Sequence, residues 1–298
     1  MTVPKPLRLQ PNAYILAADP AWIEESVASY YDLVKRIFVS FDETGTSWTG
    51  HSLDPTEAVN RLKALDHQGK IVLAPGRFFS LGRNALASDT AQRQNALDLA
   101  SEGAAWVLQL DSDEIVADPA TFLSCLEQAD REGFDALDYP ARYVYQHIRD
   151  RWYLERGRRL WRAAAAYPGA VAVRAGTRLR LSRQTDAALF RVDFSRRNTD
   201  PWHPPSAIVH RVVHPGQAIM HLSWVRSESA MLAKTSTWGH AGERDWSADV
   251  LQWSRRGRRP LRTVAAGQLS RNPDNWLRFL RLADTPDAAA RARNGLTS

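Results

Sequence analysis

The sequence predicts an α/β fold: a doubly wound, largely parallel sheet with helices on both faces, continued by a mixed α/β and helical C-terminal part. Three observations predict it. Apolar runs of strand length alternate with amphipathic helical stretches between residues 13 and 139. Asp-Pro pairs begin helices at Asp19, Asp54 and Asp118, where the carboxylate caps exposed amides and proline presets the first-turn φ. The fourth apolar run, Ala104-Ala105-Trp106-Val107-Leu108-Gln109-Leu110, stops abruptly at Asp111-Ser112-Asp113-Glu114.

Taken in order, Ala13-Tyr14-Ile15-Leu16-Ala17-Ala18 reads as the first strand. Trp22, Ile23, Val27, Tyr30, Tyr31 and Val34 recur at helical spacing, which predicts a helix over residues 20–34. Ile37-Phe38-Val39-Ser40-Phe41 is a second strand ending at Asp42, and residues 43–50 form a loop by composition. Asp54-Pro55-Thr56-Glu57 sets an acid at the capping-box position and starts a helix to about Asp66. Ile71-Val72-Leu73 is a short third strand, and a loop with Gly76 and Gly82 leads to a helix from Thr90 to Glu102. After the acidic run, Asp118-Pro119 caps a helix to Arg131, and Ala136-Leu137-Asp138-Tyr139 is a fifth strand. Such alternation closes by right-handed crossovers into a parallel sheet. Past Pro140 the pattern loosens into β-like pieces at residues 171–173 and 219–222, with helices expected over 226–238, 244–259 and 274–283. Residues 1–140 and 141–298 are therefore read as two halves of one continuous globular unit.

The chain has 298 residues, 44% of them hydrophobic, and no apolar run approaches membrane-spanning length. Its start lacks the hydrophobic core of a signal peptide, and Cys125 is the only cysteine. A cytoplasmic protein without disulfides is expected. The net charge of +6 conceals an asymmetry. Residues 1–140 hold 11 Lys+Arg and 21 Asp+Glu, whereas residues 141–298 hold 28 and 12. The basic half suits phosphates, an anionic acceptor or an acidic membrane surface, so peripheral contact with the inner face of the cell membrane is an expectation. Nucleic acid is not expected as a partner, because it leaves an apolar strand ending in three acids without a purpose.

Three carboxylates within four positions repel one another, and burying them unpaired is expensive. A divalent cation relieves the repulsion and keeps sites free for phosphate. Ligands in open α/β sheets sit beyond the carboxyl ends of the strands, where these acids fall. The reading is an Asp-x-Asp site for a metal and a nucleotide diphosphate. A solvated turn accounts for the tripeptide alone equally well, and the surrounding pattern decides between them.

That pattern is an early strand-helix-strand ending at Asp42, then Thr90-Ala91-Gln92-Arg93-Gln94-Asn95-Ala96-Leu97, then Trp106 to Glu114. It resembles glycosyltransferases of the GT-A fold, particularly family-2-like bacterial enzymes, over residues 10–140. The resemblance implies a metal-dependent transferase that moves a sugar from a nucleotide-diphosphate donor to a saccharide or glycolipid acceptor. Residues 1–140 would be the nucleotide-sugar-binding half and 141–298 the acceptor side. Asp42 matches the acid that hydrogen-bonds the base, Ala17 and Ser112 adjoin the donor, and Arg93 reaches the diphosphate. Asp113 would ligate Mn²⁺ or Mg²⁺ as a Lewis acid, and Asp111 would orient the ribose or contact the metal through water, with His221 as third ligand and His240 as the alternative. An inverting transferase needs a base for the acceptor hydroxyl, which in this group lies in an acidic pair. No Glu-Asp pair occurs between residues 140 and 240. Asp193 and Asp186 rank first among the single acids there, ahead of Asp200 and Glu228, and the stereochemistry stays open. Of Trp152, Trp161, Trp202, Trp224, Trp238 and Trp246, one or two are expected as sugar platforms. The alternatives are a sugar-phosphate nucleotidyltransferase, which would want a glycine-rich loop where Ala18-Asp19-Pro20-Ala21-Trp22 stands, and a basic nucleic-acid or anion-binding protein.

Overall fold

A computed structural model describes residues 9–282. The first half alternates as its periodicity predicts: β1 (Asn12–Leu16), α1 (Ile23–Tyr30), β2 (Ile37–Asp42), α2 (Thr56–Leu65), β3 (Ile71–Gly76), α3 (Ala85–Ala100) and β4 (Trp106–Gln109). Then come β5 (Glu114–Val116), α4 (Pro119–Arg131) and β6 (Ala136–Asp138). A long hairpin, β7 (Ala141–Arg149) and β8 (Trp152–Arg158), leads through β9 (Arg162–Ala163) to β10 (Ala172–Arg174). A small hairpin, β11 (Leu179–Leu181) and β12 (Gln184–Thr185), precedes β13 (Leu189–Asp193), β14 (Arg211–Val212) and β15 (Ile219–His221). Helices α5 (Glu228–Thr237), α6 (Ser247–Arg258) and α7 (Pro260–Leu269) and the strand β16 (Leu277–Arg281) complete the described chain.

The large sheet has the order β14-β13-β6-β10-β4-β1-β2-β3, and only β10 runs antiparallel to its neighbours. The sequence dictates why it is covered on both faces. In β1, β2 and β4, Ala13, Ile15, Ile37, Val39 and Leu108 point to one side, where they meet Ile23 and Val27 of α1, Leu62 of α2 and Phe122 and Leu126 of α4. Their neighbours Tyr14, Leu16, Phe38 and Val107 point to the other, against Ala96, Leu97 and Ala100 of α3. Strands apolar at both alternating sets belong to a sheet buried on both faces. Each large side chain fully buried this way contributes about 1.5–3 kcal/mol.

A second sheet, β16-β8-β7-β15-β5, stands beside the first. The chain passes from β4 in one sheet to β5 in the other within four residues, Leu110 to Asp113, so the acidic turn occupies the seam. The two halves interleave there: β10 enters the large sheet between β4 and β6, while β5 pairs with β15, setting Glu114 beside His221.

Several boundaries differ from expectation for identifiable reasons. Trp22 has φ 69°, a left-handed conformation that delays α1 to Ile23. The Asn84 side chain accepts from the Ala87 amide and starts α3 at Ala85, before the expected Thr90. The helix expected over residues 274–283 is instead β16, with residue 283 outside the described part. Leu277 and Leu280 are buried there because β8 offers a free edge, and pairing overrides helical spacing. Helix α7 and the β7–β8 hairpin escape the sequence reading altogether. Among the described residues no helix is long and apolar enough to cross a membrane.

Candidate active site

A cleft of about 1090 Å³ lies over the ends of β1, β2 and β4, closed on its far side by α5 and the segment before it. The turn after β4 shapes its floor. The Asp111 amide donates to Glu114 Oε2 (3.0 Å), and Ser26 Oγ donates to the Asp111 carbonyl (3.0 Å). Glu114 is fully buried and faces Arg183, equally buried, whose Nη1 and Nη2 donate to its two oxygens at 2.6 and 2.5 Å. Arg183 Nη1 also donates to the Gln109 carbonyl at the end of β4 (2.9 Å). Glu114 therefore anchors the turn.

Asp111 and Asp113 point into the cleft and meet protein cations. Arg93 on α3 donates from Nη2 to Asp111 Oδ1 (2.8 Å) and from Nε to Asp89 (2.7 Å). Asp113 is buried: its Oδ2 accepts from Lys234 Nζ (2.6 Å) and Arg226 Nη2 (3.1 Å), and its Oδ1 lies 3.3 Å from His221 Nε2. Arg226 also pairs with Asp19 (2.6 Å). Five carboxylates, Asp19, Asp89, Asp111, Asp113 and Glu114, thus face four permanent cations, Arg93, Arg183, Arg226 and Lys234, and outnumber them by one.

This donor set does not fit a divalent cation. Both Asp113 oxygens face nitrogens, Glu114 is taken by Arg183, and a metal beside Asp113 would contact two full positive charges. Among the described residues no group of three His, Cys, Asp or Glu side chains is arranged to hold a metal. The expected ligation of Mn²⁺ or Mg²⁺ by Asp111, Asp113 and His221 is accordingly corrected: the three come together, but around protein cations. Donors without partners lie beside these acids. Arg93 Nη1 and Arg226 Nε and Nη1 are buried without any acceptor.

The remaining expected residues fall into two groups. Ala17, Asp42, Ser112 and His221 line the cleft with Arg93. Asp42, however, is engaged by two loops: Oδ1 accepts from the Thr44 amide (2.9 Å) and hydroxyl (2.5 Å) just after β2, and Oδ2 from the Phe78 amide (2.9 Å) just after β3. Burial would raise its carboxyl, but these donors outweigh it and hold it below the ordinary range. Asp193 and Asp186 are corrected as bases because neither lines the cleft. Asp193 is fully buried, accepting from Tyr167, the Thr199 amide and hydroxyl, and the Phe194 amide. Asp186 is exposed and pairs with Arg180. His240 lines the cleft but bonds Glu243, and of the six tryptophans singled out only Trp238 lines it. Arg183, Arg226 and Lys234 escaped the sequence reading. One signal was present: Ala230, Ala233, Lys234 and Thr237 share one helical face, small residues around a single cation, and all four line the cleft.

Electrostatics fix an acid limit for this arrangement. Burial opposes charge on Asp111, yet Arg93 and Arg183 pull its carboxyl from 3.8 down to about 2. Burial likewise opposes charge on Asp113, yet Lys234, His221 and Arg226 hold it well below the carboxylate range. Groups depressed in the folded state stabilise it fully above the unfolded value and lose that contribution as pH falls through the folded one. Thermal melting should therefore hold its pH response from these acids back until pH drops under about 4, then fall steeply toward pH 2. Asp111→Asn should flatten that fall; an unchanged profile would refute the linkage.

No protein-family model matches the sequence, and no curated protein sequence matches it. Solved structures similar to part of the chain include 4-diphosphocytidyl-2C-methyl-D-erythritol synthase from Anaerococcus prevotii, with 13% identity, TM-score 0.33, and coverage of 56% of this chain and 72% of that one. Mannose-6-phosphate isomerase from Helicobacter pylori has 16% identity and TM-score 0.27, over 48% of this chain and 53% of that one. Mannose-1-phosphate geranyltransferase from Thermus thermophilus has 15% identity and TM-score 0.27, over 50% of this chain and 49% of that one. The chain spans about half the length of the latter two, and likenesses this distant carry no argument about activity.

Proposed function

We propose that this chain is a glycosyltransferase that binds a nucleoside diphosphate sugar with its diphosphate against Arg93, Arg226 and Lys234, and passes the sugar to a saccharide or glycolipid acceptor. The observation that carries this reading is that Arg93, Arg226 and Lys234 line one cleft over the strand ends, and that both arginines keep buried guanidinium N–H groups without an acceptor. A buried donor left unpaired costs about 1–3 kcal/mol. A diphosphate supplies acceptors in number and binds well to planar guanidinium groups. The place is also the one that strand ends provide for ligands in open α/β sheets.

In the reaction, the bond from the anomeric carbon to the diphosphate oxygen breaks as a bond to the acceptor oxygen forms. Negative charge gathers on the departing diphosphate, and cations already held in position stabilise it without reorganising. Asp19, Asp89, Asp111 and Asp113 hold those cations in place. The cleft's carboxylates all come from the first 113 residues and its histidines, His147, His221 and His240, from the second half, so the acceptor proton passes to one of these groups or to solvent. A cleft of this size with arginines and a lysine in its wall would also take a nucleoside triphosphate, as a sugar-phosphate nucleotidyltransferase requires, although no glycine-rich loop follows β1.

Calorimetric titration with UDP, GDP, CDP and dTDP in EDTA tests the site. One of them should bind, and product analysis should then show that nucleoside diphosphate, rather than pyrophosphate, is released. Failure of all four refutes the site. Binding that appears only with Mn²⁺ or Mg²⁺ would return Asp111 and Asp113 to the role of metal ligands.

A further inference from the structure

Helix α7 turns its leucines outward. Val264 and Gly267 are buried against the body, whereas Leu261, Ala265 and Leu269, spaced four residues apart along one face, are exposed. Leu261 is 76% and Leu269 84% exposed. The turn at Arg159–Trp161 lies against this helix. Leu160 and Trp161 stand in solvent there, 69% and 56% exposed. Their φ angles of 60° and 54° lie in the left-handed region, which side chains of L residues avoid. Two consecutive residues held that way keep both side chains outward.

Arginines surround these apolar groups. Arg159 and Arg162 flank Leu160 and Trp161 and are exposed. Arg255, Arg259 and Arg262 line a shallow hollow of about 430 Å³ beside α6 and α7, with no hydrogen-bond acceptor or ion-pair partner for their side chains among the described residues. Residues 250–282 hold eight arginines and a single acid, Asp274. None of these arginines or outward apolar residues lines the cleft.

We propose that α7 and the 159–161 turn form a docking face for a membrane surface rich in anionic phospholipid. The guanidinium groups bind the headgroup phosphates, and Trp161, Leu160, Leu261 and Leu269 enter the boundary between headgroups and acyl chains. A bilayer supplies both complements on one surface: apolar volume for the leucines and tryptophan, and phosphate for the arginines. An acidic protein would satisfy the charge and leave the leucines facing water.

Co-sedimentation of the full chain with vesicles tests this directly. Vesicles of equimolar phosphatidylcholine and phosphatidylglycerol should carry the protein down at low salt, and vesicles of phosphatidylcholine alone should not. The triple variant Arg255→Glu, Arg259→Glu, Arg262→Glu should bind the anionic vesicles at least about tenfold more weakly. The double variant Leu160→Ser, Trp161→Ser should also bind about tenfold more weakly. Both should keep the parent's thermal melting and its nucleoside diphosphate binding, which separates this face from the cleft. Salt repeats the test on the unaltered chain, whose binding should fall as the charges are screened. No sedimentation with anionic vesicles, equal binding to both vesicle types, or unchanged binding in both variants would overturn the proposal. Retention on polyglutamate without vesicle binding would overturn it too, by assigning the face to an acidic protein.

Discussion

Glu114→Ala should destabilise the chain by about 3–5 kcal/mol, because it leaves the Arg183 guanidinium buried without its carboxylate. Both side chains are almost wholly inaccessible, at 0% and 1% exposure, so water cannot take the missing partner's place. The Asp111 amide loses its acceptor in the same step. The size of the effect reflects an uncompensated charge rather than the worth of the pair. Replacing both members with apolar residues, Glu114→Leu with Arg183→Met, should consequently recover much of the loss. Urea denaturation of Glu114→Leu, Arg183→Met and the double variant measures this as a cycle. A single-variant cost under about 1 kcal/mol would show that solvent reaches the pair and that the turn does not depend on it.

Under the proposed function, Lys234→Ala should lower sugar transfer by roughly 10²–10³-fold, the usual scale for removing one charge-stabilising donor from a reacting centre. Stability should change little by comparison, since the Lys234 side chain is 19% exposed and Asp113 keeps Arg226 and His221. The loss should fall mainly on kcat, because charge develops on the diphosphate as it departs. Lys234→Arg should restore part of it, and added Mn²⁺ should restore none. Steady-state kinetics on the three proteins decide the matter. A Lys234→Ala enzyme rescued by Mn²⁺ would mean that the lysine merely stands in for a metal.

The contrast between the acids and their partners explains how far the sequence could be read. Ile15, Val39 and Leu108 announce their strands locally, and the Asp118 side chain caps its helix at the position where Asp-Pro predicts a start. These are short-range preferences, expressed within one element. Asp111, Asp113 and Glu114 stand out for the same reason, since three charges within four residues at a strand end are a local anomaly. Their neutralisation does not. Arg183 meets Glu114 across 69 residues, Arg226 meets Asp113 across 113 and Lys234 meets it across 121. An arginine or lysine has the same local spacing whether it faces solvent or a buried carboxylate, so nothing beside it in the chain marks the difference.

Asp193 shows the converse error. Its distance along the chain from Asp113 suited a base, but position along a strand is set by pairing. β13 adds to β6, and that pairing puts Asp193 among Tyr167 and Thr199, away from the cleft. The sequence by itself determined the alternation of strands and helices through residue 140, the two-sided burial of the sheet, and the place of the acidic turn at the end of β4. Only the tertiary structure decided that β5 leaves for a second sheet and that β16 is a strand. It alone decided that protein cations face the acids. Periodicity and capping act over a few residues, whereas charge compensation and edge pairing depend on which distant segments the folded chain brings within contact.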